Sequence, residues 1–278
     1  MWARGFPTLP RAAAAAFCGC VLALSCHGQE EDRPGAALGT IGAGRILVLG
    51  NSITLHGPSE PLGWEHNCGM AASAPEKDYV HVLAAGIEAR TGAALRTSPI
   101  DEEPGPDGSP AAAPRNVVNI ADILERQYAT YINDLLQAQI DWKADIVVLQ
   151  FGENVPMDTF DPDAFAGALR TLMDGLKDSS APHVFVTSQV LRAGGAIDEI
   201  KKQVCAEDPS NRVYVDLSGL REDPTNFASS EPFYSGVIVG HPGDKGMAVI
   251  ADALLKAVVH AADDQSAPPA PAEGPGDR

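Results

Sequence analysis

Cationic side chains are scarce in this 278-residue chain: 20 Lys and Arg stand against 37 Asp and Glu, for a formal net charge of −17. That balance argues against nucleic acid or an anionic membrane surface as a partner and suits a neutral or cationic substrate. Cysteine is also sparse. Of five, Cys18, Cys20 and Cys26 fall within or at the end of the leader discussed below, leaving Cys68 and Cys205. In an exported protein these two could form one disulfide. They could equally stay as two thiols, because sequence does not fix the distance between their Cα atoms. Long apolar runs are missing too. The longest, residues 12–24, falls short of the ~20 residues that span a bilayer, and it sits between Arg4 and Arg11 on one side and Ser25 and Cys26 on the other.

A short apolar run with a positive flank before it and small residues after it reads as an export signal over residues 1–25. Ala23 and Ser25 supply the small residues of a cleavage site. Alternatively, Ala23, Leu24, Ser25 and Cys26 resemble a bacterial lipoprotein box, with Ala23 where leucine is usual and Cys26 as the lipidated terminus. The lipoprotein reading is preferred, because residues 26–44 then serve as a flexible tether; a freely secreted or periplasmic protein is the alternative.

Composition expects disorder in residues 26–44 and in the Pro- and Ala-rich tail, 263–278. Residues 99–114 read as a surface insertion in a single domain spanning 45–262. No internal repeat is present. Within the domain, apolar runs at 45–49, 145–151, 183–187 and 212–217 read as strands, with a weaker one at 94–97 or 116–118. Helical spacing runs through 79–90, 121–139, 162–176, 197–204 and 243–260. Strands alternating with helices imply βαβ units with parallel strands covered on both faces. The expected fold is therefore a three-layer α/β/α sandwich around a parallel sheet of about five strands. Ligands of such sheets bind beyond the carboxyl ends of the strands.

Three strand ends carry suitable chemistry. Gly50, Asn51 and Ser52 follow the first strand, where rigid backbone would hold a hydroxyl at the sheet edge; a turn serine or helix cap is the plainer explanation. Gly152, Glu153 and Asn154 follow the third. Glycine lets backbone approach a ligand, and a neutral amide suits a developing oxyanion, although such a tripeptide is ordinary in turns. His241, Pro242 and Gly243 precede the last helix, and an imidazole there has the intrinsic pKa of a general base. Alone, each is better read as structural; together they are more specific.

In combination, order and spacing, these residues resemble the SGNH/GDSL hydrolases over roughly residues 45–260. Gly50, Asn51 and Ser52 match the first block with Asn in place of Asp. Gly152 and Asn154 match the Gly-x-Asn block, and His241 with Pro242 matches the last. The resemblance implies Ser52 as nucleophile, His241 as base, and an oxyanion hole from Ser52, Ala121, Gly152 and Asn154. Two positions depart from the family. Ala121 stands where a glycine is expected, and Ile238 occupies the place of the acid three residues before the histidine. The implied machinery is a Ser-His dyad, its imidazole oriented by a backbone carbonyl or by Glu153, Asp216 or Asp244, which costs rate without abolishing the chemistry. The implied function is hydrolysis of a carboxylic ester, with a short acyl group such as acetyl on a carbohydrate as the substrate. An O-acyltransferase, or a catalytically weak binding protein, is the alternative.

Other residues receive smaller roles. His56 and Trp64, in the loop after Ser52, are expected to line the substrate pocket, with ordinary packing the competing role for Trp64. No metal or cofactor is assigned, since His56, His66 and Cys68 match no familiar ligand spacing. Gly39, Gly42 and Gly44 precede their strand, which excludes a dinucleotide loop. Arg192 could contact a substrate oxygen, but with so many acids a salt bridge is its first expectation.

Overall fold

The computed structural model describes residues 37–92, 94–97, 114–177, 183–192, 194–228 and 235–264. The export signal, all but the last residue of the 99–114 insertion and the tail from 265 lie outside the described residues. Among the described residues, no helix is long and apolar enough to cross a membrane.

Five strands form the central sheet: β3 (Ile46–Gly50), β4 (Val117–Asn119), β5 (Ile146–Gln150), β6 (His183–Thr187) and β7 (Arg212–Val215). They lie in the order β4-β3-β5-β6-β7 and every pairing is parallel. Of the two places where sequence allows a second strand, the chain uses the later. Every residue of β3 and β5 is buried, as expected of continuous apolar runs sandwiched between helices. Alternate residues point to opposite faces. Ile46, Val48, Ile146 and Val148 pack with Leu83 and Ile87 of α1 (Tyr79–Thr91) and with Ile250 and Leu254 of α5 (Asp244–Asp264). Leu47, Leu49, Val147 and Leu149 pack with Phe165 and Leu169 of α3 (Pro162–Leu176) and Val204 of α4 (Ala196–Ala206).

Local signals set the helix ends. Asp78 caps α1 by accepting from His81 N, and Gly92, in a left-handed conformation (φ 71°), closes it by donating to Glu88 O. Asp161 caps α3 with two backbone bonds, and Pro162 opens its first turn. The strand order turns back on itself at β3, with β4 on one side and β5 on the other. That reversal places the ligand crevice of a doubly wound sheet over the carboxyl ends of β3 and its neighbours.

Two expectations need correction, and one open alternative is decided. Residues 121–139 are not one helix but a π turn (Ala121–Glu125), two 3-10 turns and the short α2 (Gln137–Asp141). Tertiary bonds outweigh the periodicity here. Tyr128 Oη donates to Thr159 O and accepts from Asp161 N, while Asn133 Nδ2 donates to Thr171 O. The 26–44 tether also ends earlier than expected. β1 (Ala37–Leu38) and β2 (Ile41–Gly42) form a hairpin, with Leu38, Ile41 and Ala43 buried in the core. Finally, Cys68 and Cys205 are free and belong to separate core clusters. Burial pushes each thiol up to about 12, which leaves them protonated and inert.

Candidate active site

β3 ends at Gly50, where any side chain would run into the carbonyl of Gln150, 2.6 Å from an ideal Cβ. The chain then turns. Asn51 O accepts from Thr54 N and Leu55 N at 3.0 and 2.9 Å, and Asn51 Oδ1 accepts from Ile53 N at 3.0 Å. These bonds fix the backbone on both sides of Ser52, whose hydroxyl lies 2.9 Å from His241 Nε2.

His241 arrives from the other end of the chain. Its N–H donates to Ile238 O, its carbonyl accepts from Ala228 N, and Gly243 N donates to Asn226 O, which together anchor the turn before α5. Its Nδ1 lies 3.2 Å from the carbonyl of Val237. A carbonyl can only accept, so that contact requires the proton on Nδ1 and leaves Nε2 free to accept from Ser52. Burial lowers the imidazole pKa below the usual histidine value, and nearby His56 adds to the effect. The ring is therefore neutral near pH 7. Ile238 is fully buried in the core. None of the three candidate acids reaches the ring: Glu153 bonds Asn51 and Val190, Asp216 bonds Ser218, and Asp244 bonds Ser73 and Lys77. Of the orienting groups considered, the backbone carbonyl is the one in place.

The oxyanion side differs from expectation. Ala121 N–H donates to Asn119 Oδ1 at 3.0 Å, and Gly152 N–H donates to Glu125 Oε1, so neither is a free donor. Gly152 has a different task. At φ 120° its ideal Cβ would lie 3.1 Å from Lys201 Nζ and 3.0 Å from Ile197 Cγ2, so the bare backbone makes room for a buried lysine. Two donors remain. Ser52 N–H has no acceptor among the described residues. The Asn154 amide is held from both ends: its Nδ2 donates to Glu125 Oε2 at 2.6 Å, and its Oδ1 accepts from Arg126 Nη2 at 3.2 Å. One Nδ2 hydrogen serves Glu125, and the second is left for a ligand.

Glu125 is the residue that sequence reading passed over. It is fully buried and accepts from Gly152 N, Asn154 Nδ2 and, at 3.2 Å, Asn51 Nδ2. Asn51 Nδ2 also donates to Glu153 Oε2 at 2.6 Å. One side chain thus joins the turns after β3 and β5. A signal was available: 121, 124, 125 and 128 share one face at helical spacing, so Glu125 put a carboxylate among Ala121, Leu124 and Tyr128, which are all buried. Beneath lies Lys201, fully buried, donating to Phe151 O and Thr187 O and 3.6 Å from Asp198. Burial lowers its pKa and raises that of Glu153.

Ser52, His241, Asn154 and His56 open onto a cavity of about 610 Å³, with Arg126 and Arg192 also in its wall, a volume suited to a small-molecule ligand. Trp64 is absent from that wall. Its ring is 2% exposed and packs in the core, with Nε1 donating to His56 O at 3.0 Å. The loop after Ser52 folds back on itself, so the indole braces the loop that presents His56. A hydroxyl paired with a neutral imidazole, beside two unengaged N–H donors, has the parts for nucleophilic attack on a polar double bond.

By sequence, the chain matches no protein-family model and no curated protein. Its fold is similar to that of a two-domain esterase (CEX) active on acetylated mannans, with a TM-score of 0.50 and 14% identity, over 84% of this chain and 54% of that one. The chain thus spans about half the length of that esterase. A carbohydrate esterase family 3 protein from Talaromyces cellulolyticus gives a TM-score of 0.48 at 15% identity, over 79% of this chain and 98% of that one. At such identity the likeness to the two-domain esterase establishes the fold, the α/β/α sandwich that the SGNH/GDSL resemblance implies.

Proposed function

We propose that this protein is a serine esterase that removes a short acyl group, such as acetyl, from a carbohydrate. The observation that carries the proposal is the 2.9 Å contact between Ser52 Oγ and His241 Nε2 at the wall of an open cavity. His241 takes the hydroxyl proton as Ser52 attacks the ester carbonyl. The oxyanion meets the Ser52 N–H and the free hydrogen of the Asn154 amide. His241 then protonates the departing alcohol, and a water activated by the same imidazole releases the acid. The Val237 carbonyl keeps the correct tautomer but brings no full negative charge to the imidazolium. Turnover is therefore expected to be slow for a serine hydrolase. The acetyl and carbohydrate parts of the proposal draw support from the two-domain esterase of similar fold, which is active on acetylated mannans.

A fluorophosphonate probe tests the proposal. Labelling of the wild type and not of Ser52→Ala, together with hydrolysis of p-nitrophenyl acetate by the wild type alone, is the expected result. An unlabelled wild type that leaves the ester intact overturns it.

A further inference from the structure

With nearly two acids per base in the chain, a base in the cavity wall without a carboxylate partner is informative. Lys77 pairs with Asp244 at 2.8 Å, Arg170 with Glu207 at 2.6 Å, Lys177 with Asp208 at 2.8 Å and Lys245 with Asp223 at 2.6 Å. Arg126, in the cavity wall, is also engaged, with Nη1 2.5 Å from Asp122 Oδ1 and Nη2 on Asn154. Arg192 lines the same cavity and is exposed, yet among the described residues no carboxylate lies within ion-pair distance of it. Arg90, Lys143 and Arg221 also show no carboxylate partner among the described residues, but none of them lines the cavity, and Arg192 does. No described residue makes with Arg192 the salt bridge expected from composition.

Its surroundings favour an anion. Arg221 donates to the carbonyl of Leu191, which ties down the residue before Arg192 and adds a second positive charge nearby. Two carboxylates also reach the cavity wall, but both are engaged: Asp122 Oδ1 accepts from Arg126 Nη1, and Glu153 accepts from Val190 N at Oε1 and from Asn51 Nδ2 at Oε2, both at 2.6 Å. The overall charge of −17 favours neutral or cationic substrates only at long range. Salt screens that field beyond about 8 Å, and at contact distance a guanidinium matches a carboxylate geometrically.

We infer that the ester this site accepts carries a carboxylate and that Arg192 receives it. The inference rests on the esterase reading for the ester, and on the arginine alone for the carboxylate. Two matched pairs locate the charge. p-Nitrophenyl hemisuccinate against p-nitrophenyl acetate places it on the acyl side. The methyl glycoside of 3-O-acetylglucuronic acid against that of 3-O-acetylglucose places it on the alcohol side. In one of the pairs the wild type is expected to favour the charged member in kcat/KM by about 10- to 100-fold, the range of a charge-assisted hydrogen bond. Arg192→Gln should collapse that ratio, and Arg192→Lys should keep part of it.

Binding of succinate, glucuronate and glucose to Ser52→Ala, with and without Arg192→Gln, is followed by NMR titration. Hydrolysis with no preference in either pair overturns the inference, as does a preference that survives Arg192→Gln. Carboxylate binding that depends on Arg192, with no ester hydrolysed, keeps the anion site and sinks the esterase reading. Neither hydrolysis nor binding sinks both.

Discussion

The two halves of the candidate site are held in opposite ways. Among the described residues, the His241 ring is oriented by one carbonyl at 3.2 Å, beside the buried Ile238. Asn154 and Asn51 are gripped by Glu125 and Glu153, with Lys201 buried behind. The first half spends no charge, so its imidazole remains a neutral base. The second concentrates charge in the interior, where each carboxylate oxygen needs its donors. Buried carboxylates thus support the Asn51 and Asn154 side of the site, and none of the three acids considered supports the imidazole. The comparison predicts that variants on the first side change rate with little change in stability, and that variants on the second change both.

The largest effect should come from the base. His241→Ala is expected to lower kcat/KM for p-nitrophenyl acetate by about 10²- to 10⁴-fold, the usual worth of a general base, with the thermal midpoint close to that of the wild type. If the variant loses less than tenfold, His241 is not the base, and the division between the halves fails on its first side.

Next comes Glu125. Glu125→Ala strands the Gly152 N–H and the two amides that now donate to it. It is expected to destabilise the fold by about 3–5 kcal/mol, as removing one partner from a buried charged cluster does, measured by urea unfolding. Because the fold itself is at risk, Glu125→Gln serves as the sharper probe. It keeps an acceptor while removing the charge, and it should lower kcat more than it raises KM as the Asn154 amide loses its strongest restraint. A Glu125→Gln enzyme with normal kcat would separate Glu125 from the chemistry and leave it a purely structural role.

What sequence revealed and what it hid divide along the same line. Ser52, Asn154 and His241 were legible because each follows a strand or precedes a helix with its own turn residues, and the apolar runs that place those turns are unambiguous. The donors were less so. Which N–H groups are free depends on side chains such as Asn119 and Glu125 reaching across loops, and no periodicity encodes that. Trp64 was misplaced for a similar reason. A large apolar ring near a site can face the cavity or brace the loop from behind, and only the bond to His56 O decides. The 121–139 segment read as a helix because its apolar spacing is helical, while the bonds of Tyr128 and Asn133 that break it are all long-range.

A gentler test uses pH. Burial lowers the His241 pKa, so the acid limb of kcat/KM should fall at a pH below the ordinary histidine value of about 6.5. The sign for stability follows. Below about pH 6.5 the unfolded chain binds a proton that the folded imidazole still refuses, so this group makes stability decline as pH drops. An acid limb centred above 6.5 would mean that a carboxylate stabilises the imidazolium during catalysis, contrary to the carbonyl support found among the described residues.

The smallest effect should be at Trp64. Trp64→Phe keeps the ring in the core but removes the donor to His56 O. The expected loss is about 1 kcal/mol of stability, the usual net worth of one hydrogen bond, with KM for p-nitrophenyl acetate within twofold of the wild type. A several-fold rise in KM with stability unchanged would return the indole to the substrate pocket. The bracing role follows from its 2% exposure, and a ring so enclosed can influence a ligand only through the loop it supports.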